Sequence, residues 1–219
     1  MSIFAADFGG TRIKLGVVEE GRILASHAVD TPPGIPLADQ LPGLGQTMRD
    51  LARASATEPE AIVWAIPCLV APDHTTITRT FGKFDDSPQL DLTGWARETT
   101  GLPLLLELDA RAAALGEWKL GAGRGVDDLV MVTLGTGIGT SAIIDGQPLS
   151  GRSGLAGNLG GHNIIQVDGR LCPCGLRGCV ETLVSTWALP ALAKESPLFP
   201  KSSLSTVPVV DYLAVFTHA

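Results

Sequence analysis

Hydrophobic and polar positions alternate with period two at the start of the chain. An apolar run at residues 3–6 ends at Asp7-Phe8-Gly9-Gly10-Thr11, and beyond it Ile13, Leu15 and Val17 alternate with Lys14 and Gly16. That is the signature of a strand with one buried face. Glu19-Glu20-Gly21-Arg22 reads as a turn, and Ile23-Leu24-Ala25 opens a third strand, so the opening predicts a β-meander. After the loop Thr31-Pro32-Pro33-Gly34 the pattern turns helical, but Pro42 and Gly43 interrupt it, which predicts a helix starting near Leu44 and ending near Ser55. Residues 61–65 predict a buried strand closed by Pro67, and 72–91 an irregular stretch of Pro, Asp, Thr and Gly. A helix is expected over 92–100 with Trp95 inward, then a buried strand at 104–107 and an Ala-rich helix from Asp109. Gly121-Ala-Gly-Arg-Gly-Val126 reads as a flexible connection. A second strand–turn–strand follows at 129–144 and closes in Asp145-Gly146. Residues 180–193 predict a helix broken at Pro190, and 209–216 an apolar, helix-like end. Strands alternating with helices place the chain in the α/β class.

Composition narrows the function classes. In 219 residues, 45% are hydrophobic and only 18% charged, so a sizeable core is available. A net charge of −7 without a block of Lys or Arg excludes the electrostatics of a nucleic-acid binder. No apolar run reaches membrane-spanning length, and Met1-Ser-Ile-Phe-Ala-Ala-Asp7 lacks the basic start of a signal peptide. The cysteines cluster like metal ligands rather than a disulfide framework, so a cytoplasmic protein with neither membrane nor nucleic-acid partner is expected.

Candidate chemistry lies in three places. The first turn, Asp7-x-Gly9-Gly10-Thr11, offers backbone N–H groups and a hydroxyl that can cradle phosphate oxygens, with Asp7 needing a Mg²⁺ between itself and phosphate; an ordinary hairpin turn explains it as well. The second, Leu134-Gly135-Thr136-Gly137-Ile138-Gly139, follows the same plan. Two such hairpins could hold a polyphosphate between lobes. Gly135-x-Gly137-x-Gly139 leads into a strand, so it is not a dinucleotide fingerprint. Asp109 at a strand-to-helix junction is either an N-cap or a general base at a strand C-terminus. The third place, residues 162–181, gathers His162, Cys172, Cys174 and Cys179 with Gly175 and Gly178 between them. One imidazole and three thiolates suit a closed tetrahedral Zn²⁺ site; buried cysteines, or one disulfide with spare thiols, are the alternatives. Four protein ligands leave no open position, which marks such a zinc as structural. The glycine-rich run at 150–161 could close over a ligand.

Taken in this order, the motifs resemble the ROK family of sugar kinases, which includes bacterial glucokinases and N-acetylmannosamine kinases as well as repressors. The resemblance rests on Asp7-Phe-Gly-Gly-Thr11, Glu107-Leu-Asp109-Ala110, Leu134-Gly-Thr-Gly-Ile-Gly139, and His162 with Cys172-x-Cys174-Gly-x-x-Gly-Cys179 and Glu181. It implies an actin-like (ribonuclease H-like) two-lobed ATPase fold, with residues 1–118 as the first lobe and 119–219 as part of the second. It implies transfer of the ATP γ-phosphoryl group to a hexose or amino-hexose hydroxyl, with ATP, Mg²⁺ and a structural Zn²⁺, in a homodimer. Asp109 would be the catalytic base. Asp7, Gly9, Gly10, Thr11, Gly135, Thr136 and Gly137 would bind the nucleotide, and Asn158, His162 and Glu181 the sugar.

The sequence departs from the family pattern at three points. Leu108 stands where the family has Asn before the catalytic Asp. The family's sugar-gripping Glu falls on Leu159, or on Asn158 if one extra Gly is allowed. The chain is also short for the family: it lacks a strand–Gly-Gly–helix unit that packs on adenine, so the second lobe is expected to be incomplete and to expose apolar surface. The substituted sugar site opens an alternative, a non-catalytic sugar-sensing or regulatory ROK protein. Because the first phosphate motif begins within a few residues of Met1, a preceding DNA-binding segment is not expected.

Overall fold

The period-two opening folds as expected: β1 (Ser2–Phe8) pairs antiparallel with β2 (Arg12–Glu19), and β2 with β3 (Arg22–Asp30). The computed structural model describes residues 1–32 and 34–206. They form two compact units, Met1–Leu129 with Ala142–Ala156, and Val130–Ser141 with the chain from Gly157 onward.

In the first unit the meander joins β4 (Ala61–Ile66) and β7 (Leu104–Leu108) in a mixed sheet of order β3-β2-β1-β4-β7, with β1, β4 and β7 parallel. Phe4, Ala6 and Phe8 of β1 and Ile13, Leu15 and Val17 of β2 are buried. Phe8 lies between the rings of Trp64 (4.8 Å) and Phe84 (5.6 Å), and Trp64 in turn meets Trp95 at 5.3 Å. These aromatics carry the largest apolar areas in the core.

Helix α1 (Leu37–Ser55) corrects the expected start near Leu44: it begins seven residues earlier and runs through Pro42. Pro42 removes one backbone donor. In compensation, Leu37, Leu41, Leu44, Met48 and Leu51 present one buried stripe. The helix start is capped from far away, with Asp86 accepting from Leu37 N at 2.8 Å and Ala38 N at 2.9 Å. The stretch 72–91 is less irregular than expected. β5 (Leu69–Val70) and β6 (Ile77–Arg79) make a small antiparallel pair around an Asp73 turn. Helix α2 (Leu92–Thr100) is capped by Asp91 and stopped by Gly101 at φ +77°. Helix α3 (Asp109–Leu120) follows β7 directly. The connection at 121–126 is tied down, with Trp118 Nε1 donating to Val126 O at 2.7 Å and Gly121 N and Gly123 N to Glu117 O.

The chain continues through β8 (Leu129–Leu134), β9 (Ile138–Ile144) and β10 (Gln147–Pro148), a sheet of order β10-β9-β8. The hairpin turns Glu20-Gly21 and Asp145-Gly146 both have positive φ at both residues (48° and 77°; 49° and 68°), the geometry of a type I′ turn. The similarity of the two hairpins seen in sequence therefore extends to their closing turns. Along β8, Val130, Val132 and Leu134 are more than half exposed, an apolar row on that unit's surface. The helix expected over 180–193 is instead two short ones, α4 (Glu181–Val184) and α5 (Leu189–Glu195). Pro190 does not break a helix but starts the second one, where a missing N–H costs nothing. The expected element at 209–216 lies outside the described residues. Among the described residues no helix is long and apolar enough to cross a membrane.

Candidate functional site

Within the first unit, the turn between β1 and β2 is held by Gly9 N, which donates to Arg12 O at 2.9 Å. A Cβ at Gly9 would stand 2.8 Å from that same carbonyl, so only glycine fits. Asp7 at the end of β1 is exposed, with Lys14 Nζ 3.5 Å from its carboxylate; Thr11 is exposed as well. A cavity of about 240 Å³ opens beside this turn, lined among others by Gly9, Gly10, Thr31, Lys83 and Asp85.

Asp109 stands at the C-terminal end of β7. The capping position belongs to Leu108, whose side chain caps nothing, and Asp109 is the first helical residue. Its carboxylate accepts one bond, from Ala110 N at 2.7 Å. Burial pushes its pKa above the ordinary carboxylate value against that bond, with Asp7 nearby adding to the rise and Lys83 opposing it. A half-buried carboxylate with one N–H partner and a raised proton affinity is compatible both with capping the helix start and with accepting a proton. Leu108 is buried, 8% exposed, and lies on the sheet opposite Ile66.

Sequence reasoning passed over the pair Glu107 and Arg111 beside it. Glu107 Oε1 accepts from Leu108 N at 2.8 Å and from Arg111 Nη1 at 2.7 Å, and Arg111 Nη2 donates to Gly154 O at 2.7 Å. The available signal was only their spacing of four, and it spans the junction from β7 to α3 rather than one helix face. Cys68 is fully buried, and burial pushes its thiol up to about 12, so it stays a thiol and packs as a small apolar group.

In the second unit the predicted ligands converge. The ligand atoms of His162, Cys172, Cys174 and Cys179 all lie within 4.8 Å of one another. Cys174 Sγ is 3.7 Å from Cys179 Sγ, and Cys172 Sγ is 3.7 Å from His162 Nδ1. Two Zn–S bonds of about 2.3 Å at the tetrahedral angle set sulfurs about 3.8 Å apart, so the spacing fits a zinc ion. Among the thiols, burial pushes Cys172 up to about 12 and raises Cys179 as well, while hydrogen bonds from the Leu176 backbone and the two neighbouring thiols outweigh burial and lower Cys174. The loop is shaped by its glycines: Gly175 has φ +92° and Gly178 φ +75°, and a Cβ on Gly178 would overlap the Gln166 carbonyl. Backbone bonds from Ile165 N to Gly178 O (2.9 Å) and from Cys172 N to Leu176 O (2.8 Å) close the knuckle.

Two residues beyond Cys179, Glu181 opens α4 and turns to the second glycine–threonine turn. Its Oε2 accepts from Ile138 N at 3.0 Å, and its Oε1 from Trp187 Nε1 at 3.3 Å. A Cβ on Gly137 would come 2.9 Å from Oε2, so the carboxylate lies close against this turn. Gly135 N donates to Gly137 O at 3.0 Å, leaving Thr136 exposed at the tip. Of the two residues that could stand at the family's Glu position, Asn158 is buried (6% exposed) and Leu159 is 40% exposed. The structure thus groups Glu181 with Gly137, and His162 with the three cysteines, within one unit; Asp109, Asp7 and Gly9 belong to the other.

A family model described as "ROK family" matches residues 3–210. The glucokinase of Thermotoga maritima is 33% identical over 196 residues, which cover 89% of this chain and 61% of that protein. The N-acetylmannosamine kinase of Citrobacter koseri is 34% identical over 202 residues, covering 90% and 66%. A ROK family glucokinase from Streptomyces griseus, solved in complex with glucose and AMPPNP, matches with a TM-score of 0.73 at 35% identity, over 89% of this chain and 61% of that one. A ROK family transcriptional regulator, a homologue of the E. coli MLC protein, matches with a TM-score of 0.76 at 25% identity, over 92% and 53%. The chain therefore spans less than two thirds of the length of these relatives. Its mixed-sheet α/β architecture is theirs, the actin-like ATPase fold expected from the motifs.

Proposed function

Since the chain belongs to the ROK family, we propose that it serves an ATP-dependent sugar kinase, moving the γ-phosphoryl group of ATP to a hydroxyl of a hexose or amino-hexose. The observation that carries this reading is Asp109: a half-buried carboxylate at the C-terminal end of the parallel strand β7, with raised proton affinity and one backbone bond. It takes the proton of the attacking hydroxyl as the oxygen moves onto phosphorus. Positioning supplies most of the rate in such a transfer, so Asp109 needs the right place more than a high pKa. Gly9, Gly10 and Thr11, with Gly135, Thr136 and Gly137, are assigned to the phosphates, and Asp7 is the carboxylate that would hold Mg²⁺. That ion, when bound, neutralises charge on the phosphate oxygens. Asn158, His162 and Glu181 are assigned to the sugar.

His162, Cys172, Cys174 and Cys179 would hold a structural zinc. Its part is to fix the loop that ends at Glu181, and the distances among the four ligand atoms support it.

A second reading has its own observation. Leu108 is buried and apolar where the family places an amide, and the Asn158–Leu159 pair carries no carboxylate. A sugar-sensing protein that binds without turnover would tolerate both. An ADP-release assay across hexoses and amino-hexoses separates the two. Sugar-dependent ADP release abolished by Asp109→Asn supports the kinase, and sugar binding by calorimetry with no ADP release supports the sensor.

A further inference from the structure

Arg111 lies in a run of alanines, Ala110 before it and Ala112, Ala113 and Ala114 after it. Its side chain is nevertheless only 4% exposed, and that of Glu107 only 12%. A charge held out of water needs a partner and hydrogen bonds, and this pair has both. The arrangement is also directional. At one end, Glu107 Oε1 takes Arg111 Nη1 together with the N–H of Leu108, the residue immediately before Asp109. At the other, Arg111 Nη2 donates to the carbonyl of Gly154 at 2.7 Å. Gly154 has φ +74°, and a Cβ there would stand 2.9 Å from Val70 O, so the loop lies directly on the end of β5. On the outer side His74 Nδ1 is hydrogen-bonded to Leu106 O at 3.0 Å and lies 3.6 Å from Glu107 Oε2. A pair that served stability alone could be replaced by apolar groups without loss. Apolar groups would not hold a loop carbonyl in register with a strand-to-helix junction.

We infer that Arg111 is a positioning residue: by bridging Glu107 and the Gly154 carbonyl, it locks the glycine-rich segment 151–156 to the junction that carries Asp109, and so sets where the acceptor sugar is held for transfer. The inference deepens the kinase reading of Asp109 and rests on it. Arg111 itself touches no reacting atom. It acts through the loop, whose next residues lead to Asn158.

The test compares Arg111→Lys, Arg111→Met and the double variant Glu107→Gln/Arg111→Met, which leaves no unpaired ion buried. Sugar and ATP kinetics, melting temperature and amide hydrogen exchange over 150–156 are followed in each. A misplaced acceptor costs about tenfold to a hundredfold, so the sugar KM should rise, or kcat/KM for sugar fall, by that factor, with the KM for ATP nearly unchanged. Exchange at 151–156 should quicken. Arg111→Lys keeps the ion pair but cannot reach both partners, so it should show the sugar effect with little loss of melting temperature. Unchanged sugar kinetics in Arg111→Lys and in a stably folded double variant would overturn the inference and leave Arg111 a stabiliser. Absence of any sugar-dependent turnover in the unmodified protein would instead mark failure of the kinase reading. In that event the clamp is still decided by hydrogen exchange, and unaltered protection at 151–156 in the double variant would overturn it.

Discussion

Two glycines of the cysteine knuckle share a left-handed backbone but differ in surroundings, and this makes a sharp test of the loop. Gly175 (φ +92°) has nothing within 4 Å of where a Cβ would stand, whereas a Cβ on Gly178 (φ +75°) would overlap the Gln166 carbonyl. Gly175→Ala therefore carries only the left-handed cost of an L-residue, about 1–2 kcal/mol. Gly178→Ala carries the same cost and must also push the two backbones apart by more than about 1 Å, beyond hydrogen-bonding range. The bonds lost are Ile165 N to Gly178 O at 2.9 Å and Gln166 N to Gly178 O at 3.3 Å, at about 1 kcal/mol each. The difference between the two variants is about 2 kcal/mol. Because closing the knuckle and binding the ion are one event, that corresponds to about thirtyfold in zinc affinity. Competition with a chromogenic chelator on both purified variants reads it directly. Equal zinc affinities in the two would refute the reasoning, since only the Gln166 overlap distinguishes them.

Other expectations follow from single contacts. Asp86→Ala removes the acceptor for Leu37 N and Ala38 N and should lower stability by about 1–2 kcal/mol in urea denaturation; an unchanged midpoint would mean that helix α1 needs no cap from Asp86. Burial raises the pKa of Asp109 from its ordinary value of 3.8, so its ionised form costs the folded state stability above that range, a cost absent below it. Asp109→Asn should then raise the melting temperature at neutral pH, lose that gain in acid, and abolish turnover; a lower melting temperature at neutral pH would contradict the shift. Stripping zinc with a chelator should lower stability and raise the sugar KM about tenfold or more while the KM for nucleotide persists. Both left untouched would mean that the knuckle does not support Glu181.

The parts legible in the sequence are those whose partners lie close along the chain. The meander showed itself because Ile13, Leu15 and Val17 must alternate to reach one core. The cluster of candidate metal ligands showed itself because His162 and the three cysteines fall within one short segment, and their ligand atoms do converge. What stayed hidden was set by tertiary contacts. Pro42 suggested a late helix start, and nothing local indicates that Asp86, 49 residues from Leu37, supplies the cap. Arg111 read as one polar residue on an Ala-rich helix, because its second partner is the carbonyl of Gly154, 43 residues away. The sequence predicted a helix over 180–193 broken at Pro190, whereas the break falls earlier, where Thr186 N donates to Gly135 O and the 185–188 segment turns to meet that loop.

The central claim is that Asp109 works in phosphoryl transfer to a sugar hydroxyl. Incubating the chain with ATP, Mg²⁺ and each of a set of hexoses and amino-hexoses, and following the phosphorus by ³¹P NMR, tests it most directly. The account predicts a new phosphomonoester signal on one of the sugars, matched by ADP and absent with Asp109→Asn. Phosphoester formation that survives Asp109→Asn, or a sugar that binds while every phosphorus remains in ATP, would contradict it.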